Sequence, residues 1–382
     1  MAADGVEISP GEFVAAVEDG DDIHILDVRA PHRLAGGRID IVPDERFHNI
    51  KGSEIMALED PAASGLDPLK PLTVVCGVGS DSRKVAERLN GHGFSARSLQ
   101  GGMTAWMLAV IAREQAAPAP LTRFVQFDRI GKGALGYLLV SGDEAMVVDP
   151  PRDPSAFVAA AREAGARIVA VADTHAHADY ISGGPALASA MGVLYYLHPA
   201  DAVYPYDGTP GKISFEPVRD GKRIRFGKAE LEVAHTPGHT EGSVTYRLGN
   251  ELALTGDFLF VGSVGRPDLG GKTEEWSGVL WGSIERARRA WPGEMTICPA
   301  HYASDAERRP DRSVGARFSQ ILARNGPVGL PGEPEFRAWV RSRAGSFPEA
   351  YRRIKAINLG LEQASPAESD ELEGGRNECA LN

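Results

Sequence analysis

The sequence is short of cysteine, of long apolar runs and of positive charge. Its 382 residues include three widely spaced cysteines, which excludes a disulfide framework and favours a reducing cytoplasm. Every apolar run is far shorter than the roughly 20 residues of a membrane-spanning helix. The opening stretch MAADGVEISPGEF has no basic region followed by an apolar one, so we expect no secretory signal. The net charge of −11 argues against nucleic acid or a membrane surface as partner.

The composition is that of a large globular protein. Hydrophobic residues make up 43% and charged residues 24% of the chain, and its length predicts two or more domains. Apolar segments at Asp22–Val28 and Leu72–Cys76 predict buried strands, and Ser82–Leu89 has the spacing of a helix. We therefore predict an α/β domain over residues 1–114. The composition is compatible with a homo-oligomer.

A second pattern begins after residues 115–120, whose alanines and prolines are typical of a linker. Gly142-Asp143 separates two apolar runs, which predicts a hairpin, and Ile168–Ala172 predicts a strand covered on both faces. We place a second domain at residues 121–330, and a helical extension with a mobile acidic tail at residues 331–382. Further strands are predicted at Leu231–Val233, Ser243–Tyr246, Leu252–Leu254 and Met295–Cys298.

Histidines and aspartates follow several of these predicted strands. Loops beyond strand ends are where sites of α/β proteins form, and imidazole with carboxylate is a ligand set of iron and zinc. In an extended segment, His175 and His177 would face the same side. The candidate metal residues are His175, His177, Asp179, His239, Asp257 and His301.

Other histidines have plainer interpretations. His235 either joins the site or braces the turn before His239, and His301 lies in the pocket with or without binding metal. Isolated histidines are more often surface or core residues than ligands. We therefore interpret five histidines as surface or core residues rather than metal ligands: His24, His32, His48, His92 and His198.

The six candidate positions resemble the metallo-β-lactamase superfamily, which implies an αββα sandwich with metal at the sheet edge. Two-metal hydrolases of that superfamily, such as glyoxalase II, carry His-x-His-x-Asp-His. Here Tyr180 replaces the last histidine, which removes one nitrogen ligand.

Four motifs together are similar to persulfide dioxygenases. They are THAHADYISGG, HTPGHTEGS, TGDFLF and GRPDL. The resemblance implies one Fe(II) per chain bound by His175, His239 and Asp257, with His177, Asp179 and His301 around them or as alternative ligands. It also implies oxidation of a small thiol persulfide, such as glutathione persulfide, by O₂ to sulfite and thiol. The alternative is a dinuclear zinc thioester hydrolase of the glyoxalase II kind.

Two further residues are candidates for binding substrate. Arg266, with Asp268 nearby, could pair with the carboxylate of a thiol carrier, or the two could form a surface salt bridge. Tyr180 could donate a hydrogen bond to substrate, or pack.

Cys76 lies between a predicted strand and a predicted helix, where a thiolate is stabilised by the helix N-terminus. A buried structural cysteine is the alternative. Residues 8–113 resemble a rhodanese domain through Leu26–Arg29, the Cys76 loop and Leu99–Trp106. This implies a catalytic Cys76 that transfers sulfur, with thiosulfate or sulfite as partners. A scaffold protein that binds a partner through Cys76 is a further alternative.

The surroundings of Cys76 carry opposing charges, and the other cysteines have different expected roles. Asp81 is expected to disfavour the thiolate, and Arg83 to offset it. We predict that Cys298 packs in the core. We predict that Cys379 is exposed and has no functional role, or alternatively that it is a swinging sulfur carrier.

Overall fold

The structure is a computed structural model that describes residues 5–381. Residues 1–4 of the predicted first domain and residue 382 of the predicted tail lie outside the described residues. Contacts divide the chain into two units. The first runs to Ile111 and includes Arg129–Lys132 and Gly374–Arg376. The second comprises Ala112–Asp128, Gly133–Glu373 and the residues from Asn377 onward.

The first unit is built on a five-stranded parallel sheet of order β1-β5-β4-β2-β3. Its strands are β1 (Glu7–Ile8), β2 (His24–Asp27), β3 (Phe47–Asn49), β4 (Pro71–Val75) and β5 (Ser95–Leu99). Its helices are α1 (Pro10–Glu18), α2 (Gly52–Ala57), α3 (Ser80–Asn90) and α4 (Gly102–Leu108).

Alternate residues of these strands enter two apolar cores. Ile25 and Val75 pack with side chains of α1 and α4, whereas Leu26 and Val74 pack with side chains of α2 and α3. Because successive strand residues point to opposite faces, a continuously apolar strand needs cover on both sides. The predicted α/β domain is confirmed.

The second unit contains two sheets and seven helices within the described range. The seven-stranded sheet has β6 (Ile111–Gln115), β7 (Arg123–Arg129), β8 (Ala134–Ser141), β9 (Glu144–Val148), β10 (Arg167–Ala172), β11 (Leu194–Leu197) and β12 (Glu216–Pro217). The six-stranded sheet has β13 (Arg223–Phe226), β14 (Ala229–His235), β15 (Val244–Leu248), β16 (Leu252–Gly256), β17 (Thr296–Pro299) and β18 (Ala316–Arg317). The helices are α5 (Ser155–Glu163), α6 (Gly184–Met191), α7 (Thr273–Ala290), α8 (Phe318–Arg324), α9 (Glu333–Arg343), α10 (Ala350–Asn358) and α11 (Pro366–Leu372).

The two sheets pack face to face, and helices cover their outer faces. Leu252 and Leu254 of β16 enter the core between the sheets, while Ala253 packs with side chains of α7, α8 and α9. Helices α5 and α6 contact the seven-stranded sheet. This is the αββα sandwich expected from the resemblance.

Most predicted elements are confirmed, including the hairpin, which is formed by antiparallel β8 and β9. The stretch before the predicted linker is a strand: β6 lies at the edge of the seven-stranded sheet. None of the helices formed by residues 5–381 is long and apolar enough to cross a bilayer.

The prediction of a mobile acidic tail is wrong for its described residues. Helix α11 begins with a capping box between Ser365 and Glu368, which supplies hydrogen bonds that composition does not reveal. Further along, Cys379 and Leu381 are buried. The expectation of an exposed Cys379 is therefore also wrong, because apolar neighbours in the second unit cover it.

Candidate metal centre

Four strand ends of the second unit carry the predicted histidines and aspartates. His175 follows β10, His239 follows β14, Asp257 follows β16 and His301 follows β17. All four side chains are fully buried. The strands fix the main chain, and the loops beyond them direct the polar groups.

His175, His239 and Asp257 converge in a compact group. Nε2 of His175 lies 3.7 Å from Oδ2 of Asp257, and Nε2 of His239 lies 3.4 Å from the same oxygen. Among the described residues, these three atoms are buried without a hydrogen-bond partner. Unpaired buried polar atoms are costly, so their convergence fits a bound cation.

The far sides of both imidazoles are held in place. Nδ1 of His239 lies 2.9 Å from the main-chain oxygen of Arg266, and Nδ1 of His175 lies 3.0 Å from Oγ1 of Thr174. Nδ1 must donate to the Arg266 oxygen, which leaves the lone pair of His239 on Nε2. Burial lowers the pKa of His175 and of His239, so both are neutral near pH 7. Two neutral imidazoles and one carboxylate suit non-haem Fe(II), and also zinc.

Glycines let the main chain approach this group. At Gly256, where φ is +55°, a Cβ atom would collide with the side chain of Thr174. At Gly265, a Cβ atom would collide with the main-chain oxygen of Asp257 and reach 3.0 Å from Nδ1 of His239. A larger residue at Gly265 would displace a candidate ligand, and one at Gly256 would displace Thr174, which contacts His175.

His301 lies between two carboxylates. Its Nδ1 is 2.6 Å from Oδ1 of Asp257, and its Nε2 is 3.0 Å from Oδ2 of Asp179. Burial alone would lower the pKa of His301, but the two carboxylates raise it to about 10. A protonated His301 donates from both nitrogens and orients Asp257, with Oδ2 left for a cation.

His177 lies beside His175, with ring centroids 4.2 Å apart, but it belongs to a different group. Its Nε2 is 3.1 Å from Oδ1 of Asp149 and 2.9 Å from the hydroxyl of Tyr180. The segment is a loop rather than an extended strand, and the two neighbouring rings take part in different groups. Tyr180 is buried, and its ring stacks on His177.

Arg266 forms the salt bridge with Asp268 that was the alternative prediction, but the pair is buried rather than at the surface. Its guanidinium is buried and forms a bidentate pair with Asp268, at 2.7 and 2.8 Å. That pair occupies the face with which an arginine would bind a substrate carboxylate. His235 braces the turn, since its Nε2 lies 2.9 Å from the main-chain oxygen of Glu241.

Sequence reasoning missed several residues around the site. Asp149 directly follows β9, and its carboxylate accepts hydrogen bonds from the main chain and hydroxyl of Thr174. Lys355 of α10 is buried, and its ammonium donates to the main-chain oxygen of Ala176 at 2.9 Å. Asp149 could have been found from its position at a strand end. Nothing in the local sequence pointed to Lys355.

A cavity of about 440 Å³ lies beside the candidate metal group. Ala176 and Thr240, each adjacent to a candidate ligand, form part of its wall. It is large enough for a small organic ligand. Other residues around it include Asp201, Tyr204, Tyr206, Lys272, Trp276 and Lys355.

In the first unit, Cys76 lies in the loop between β4 and α3. Its sulfur accepts hydrogen bonds from the main-chain N–H of Gly79, at 3.1 Å, and from the hydroxyl of Ser82, at 3.3 Å. Burial raises the pKa of Cys76, but hydrogen bonds from Ser82 and from the main chain of the loop outweigh it, and the net shift is downward. This environment favours the thiolate form of Cys76.

The side chains of Asp81 and Arg83 pair with other residues. The main chain of Asp81 helps to lower the pKa of Cys76, and its exposed carboxylate lies 4.0 Å from Nζ of Lys84. Arg83 pairs with Glu87 at 3.1 Å. The hydrogen bonds that lower the pKa of Cys76 come from the Ser82 hydroxyl and from main-chain groups of the loop.

Comparison with known proteins agrees with this architecture. Residues 131–310 match the metallo-beta-lactamase superfamily and residues 9–109 match the rhodanese-like domain. The human mitochondrial persulfide dioxygenase ETHE1 is 33% identical, over 41% of this chain and 59% of the relative. This chain therefore spans less than two thirds of that protein.

Two further relatives support the family. A hydroxyacylglutathione hydrolase of Anaeromyxobacter dehalogenans is 34% identical, over 59% of this chain and 89% of the relative. The crystal structure of a metallo-beta-lactamase from Staphylococcus aureus matches with a TM-score of 0.54 at 28% identity, covering 64% of this chain and 74% of that one. The chain belongs to the metallo-beta-lactamase superfamily and carries an N-terminal rhodanese-like domain.

Proposed function

We propose that the protein is a persulfide dioxygenase that also transfers sulfur through Cys76. One small thiol persulfide, one O₂ and one water would give one thiol, one sulfite and two protons. The observation that carries the proposal is the trio of unpaired buried atoms on His175, His239 and Asp257. Similarity to persulfide dioxygenases supports the choice of reaction.

The chain would hold one Fe(II) through Nε2 of His175, Nε2 of His239 and Oδ2 of Asp257. Iron held by two histidines and one carboxylate keeps open positions, and supplies the redox chemistry that O₂ needs. Arg266, through its main-chain oxygen, keeps His239 in the binding tautomer. His301 fixes the rotation of Asp257. The complete burial of all three ligands excludes bulk water from them.

The adjoining cavity would receive the carrier thiol. Its volume of about 440 Å³ suits a molecule the size of a small peptide thiol such as glutathione. Lys272, on its wall, pairs with Glu241 at 3.0 Å. Because that pair is exposed and weak, a substrate carboxylate would compete with Glu241 for it more readily than with Asp268 for Arg266.

Cys76 would act in the first unit as the sulfur carrier of a rhodanese. Its lowered pKa makes the thiolate available to attack a sulfane sulfur, and the loop N–H groups would stabilise the resulting persulfide anion. Thiosulfate or sulfite would be the other reactant.

Oxygen consumption tests the main proposal. Protein loaded anaerobically with iron should consume one O₂ per glutathione persulfide and release sulfite. The absence of O₂ uptake with glutathione, coenzyme A and other thiol persulfides would contradict it. For the first unit, thiosulfate-dependent sulfur transfer should be lost in Cys76→Ser, and unchanged transfer would remove Cys76 from the reaction.

A second candidate is a two-zinc thioester hydrolase, which similarity to a hydroxyacylglutathione hydrolase favours. The replacement of the usual histidine by Tyr180, whose hydroxyl contacts His177, argues against a second metal. Metal analysis separates the two candidates. One iron per chain favours oxidation, whereas two zincs with hydrolysis of a glutathione thioester would favour the hydrolase.

A further inference from the structure

Cys379 lies beside the candidate metal centre. Its sulfur, a carboxylate oxygen of Asp179 and a ring nitrogen of His301 lie within 4.8 Å of one another, and all three side chains are buried. His301 in turn contacts Asp257 at 2.6 Å, whose other oxygen belongs to the unpaired trio. A thiol is thus placed one imidazole away from three unpaired polar atoms.

The main chain around Cys379 is fixed against the segment that follows Asp257. The N–H of Arg266 donates to the main-chain oxygen of Cys379 at 2.9 Å, and Ala380 forms a bridge with Gly265. The hydroxyl of Tyr351 accepts from the N–H of Glu378 at 2.8 Å. Arg266 therefore contacts the Cys379 segment through its N–H and His239 through its carbonyl oxygen.

One residue, Leu269, lies between the cavity and the surroundings of this thiol. Leu269 belongs both to the cavity wall and to the apolar cluster that contains Cys379, Ala178 and Tyr351. A ligand in the cavity would therefore be separated from Cys379 by little more than one side chain. The thiol faces polar groups on one side and this cluster on the other, unlike Cys298, which lies in the core between the sheets.

We infer that Cys379 accepts the sulfane sulfur of a small-molecule persulfide and holds it beside the metal trio as a protein persulfide. This inference rests on the proposed function for the fate of that sulfur. The sulfur of Cys379 attacks the outer sulfur of the donor, a new S–S bond forms as the donor's S–S bond breaks, and the donor leaves as a thiol. The added sulfur lies about 2 Å beyond the sulfur of Cys379. O₂ and water then convert the protein persulfide to the Cys379 thiol, sulfite and two protons, so the sulfur is oxidised and O₂ is reduced.

Mass spectrometry of the cysteine-containing peptides tests the inference without relying on turnover. Iron-loaded protein is incubated anaerobically with glutathione persulfide, capped with an alkylating agent and cut with trypsin. The peptide that begins at Asn377 should carry one extra sulfur, and the peptide that contains Cys298 should not. On admission of O₂ the extra sulfur should disappear from the native protein and persist in His175→Ala.

The other possible results separate the carrier role of Cys379 from the proposed dioxygenase activity. O₂ uptake with no extra sulfur on Cys379, or equal labelling of Cys298, would overturn it while leaving the proposed function standing. Extra sulfur on Cys379 without O₂ uptake would support the carrier and overturn the dioxygenase. A second metal per chain that is lost in Cys379→Ser would make Cys379 a ligand instead, and overturn the inference.

Variants provide an independent measurement. Cys379→Ser should lower O₂ consumption by at least about tenfold, because a hydroxyl does not accept sulfane sulfur. Ala380→Ser, which adds a hydroxyl one residue further along, is the matched control and should retain the native rate. Equal rates in both variants would contradict the carrier role.

Discussion

The main-chain oxygen of Arg266 holds Nδ1 of His239, while the guanidinium of the same residue is locked by Asp268. One residue therefore connects a buried ion pair to the orientation of a candidate ligand. The ion pair stiffens the loop, and the loop fixes the tautomer of His239.

Asp268→Asn should weaken both folding and metal binding. Removing one partner of a buried pair leaves an uncompensated charge, so we expect the free energy of unfolding to fall by about 3 kcal/mol. Urea denaturation of the metal-free protein measures this. Glu294→Gln removes the exposed partner of Arg317 and should cost less than about 1 kcal/mol. Similar losses in the two variants would contradict the structural role given to the Arg266 pair.

His175→Ala should abolish metal binding and leave the fold intact. The loss of an outer hydrogen-bonding partner alone weakens metal binding by roughly 10–100-fold, so loss of the ligand should exceed about 100-fold. Metal content after anaerobic loading, with circular dichroism as a check of folding, gives the answer. His92→Ala, at an exposed position of the first unit, is the control, and a variant at position 175 that retains full metal content would refute the site.

Ser82→Ala should raise the pKa of Cys76. The Ser82 hydroxyl lies 3.3 Å from the sulfur, and its hydrogen bond favours the thiolate, which lowers the pKa. Alkylation of Cys76 should therefore begin at lower pH in the native protein than in the variant. The rate of reaction with iodoacetamide as a function of pH measures the shift. Burial raises the pKa of Cys298 to about 12, so that residue is the unreactive internal reference.

His198→Asn should reduce the loss of stability in mild acid. Burial, followed by the nearby His235, lowers the pKa of His198 from 6.5 to about 4. Between these values the unfolded chain binds a proton that the folded chain does not, so stability falls as the pH drops from 6.5 toward 4. In the native protein, the N–H of Ala200 donates a hydrogen bond to Nδ1 of His198. Asparagine at position 198 retains an acceptor for this N–H.

The measurement is the urea midpoint at pH 7 and at pH 5. The difference between the two should be smaller in His198→Asn than in the native protein. His92→Asn serves as the control, and a difference that is unchanged in His198→Asn would contradict the assignment.

Much of the fold and of the metal trio could be predicted, because both leave local signals. The runs of apolar residues in β10 and β16 identify strands, and polar residues shortly after them identify an edge where ligands meet. Lys355 and Cys379 could not be placed in this way. They reach the site from distant segments, through packing of α10 and of the residues around Ala380, and no periodicity encodes such contacts.

The partners of His177, Arg266 and Asp81 could not be predicted from residue type and spacing, because they are set by the course of loops. The carboxylate of Asp149 contacts His177, that of Asp268 pairs with Arg266, and a main-chain hydrogen bond at Asp81 lowers the pKa of Cys76.

Strand β16 contributes side chains to two separate apolar layers, Leu252 and Leu254 on one face and Ala253 on the other, and Asp257 follows it directly. A change in packing on either face of this strand shifts the carboxylate. Packing defects on either face of the strand should therefore lower the affinity for the cation. On heating, the cation should dissociate at a lower temperature than the one at which the protein unfolds.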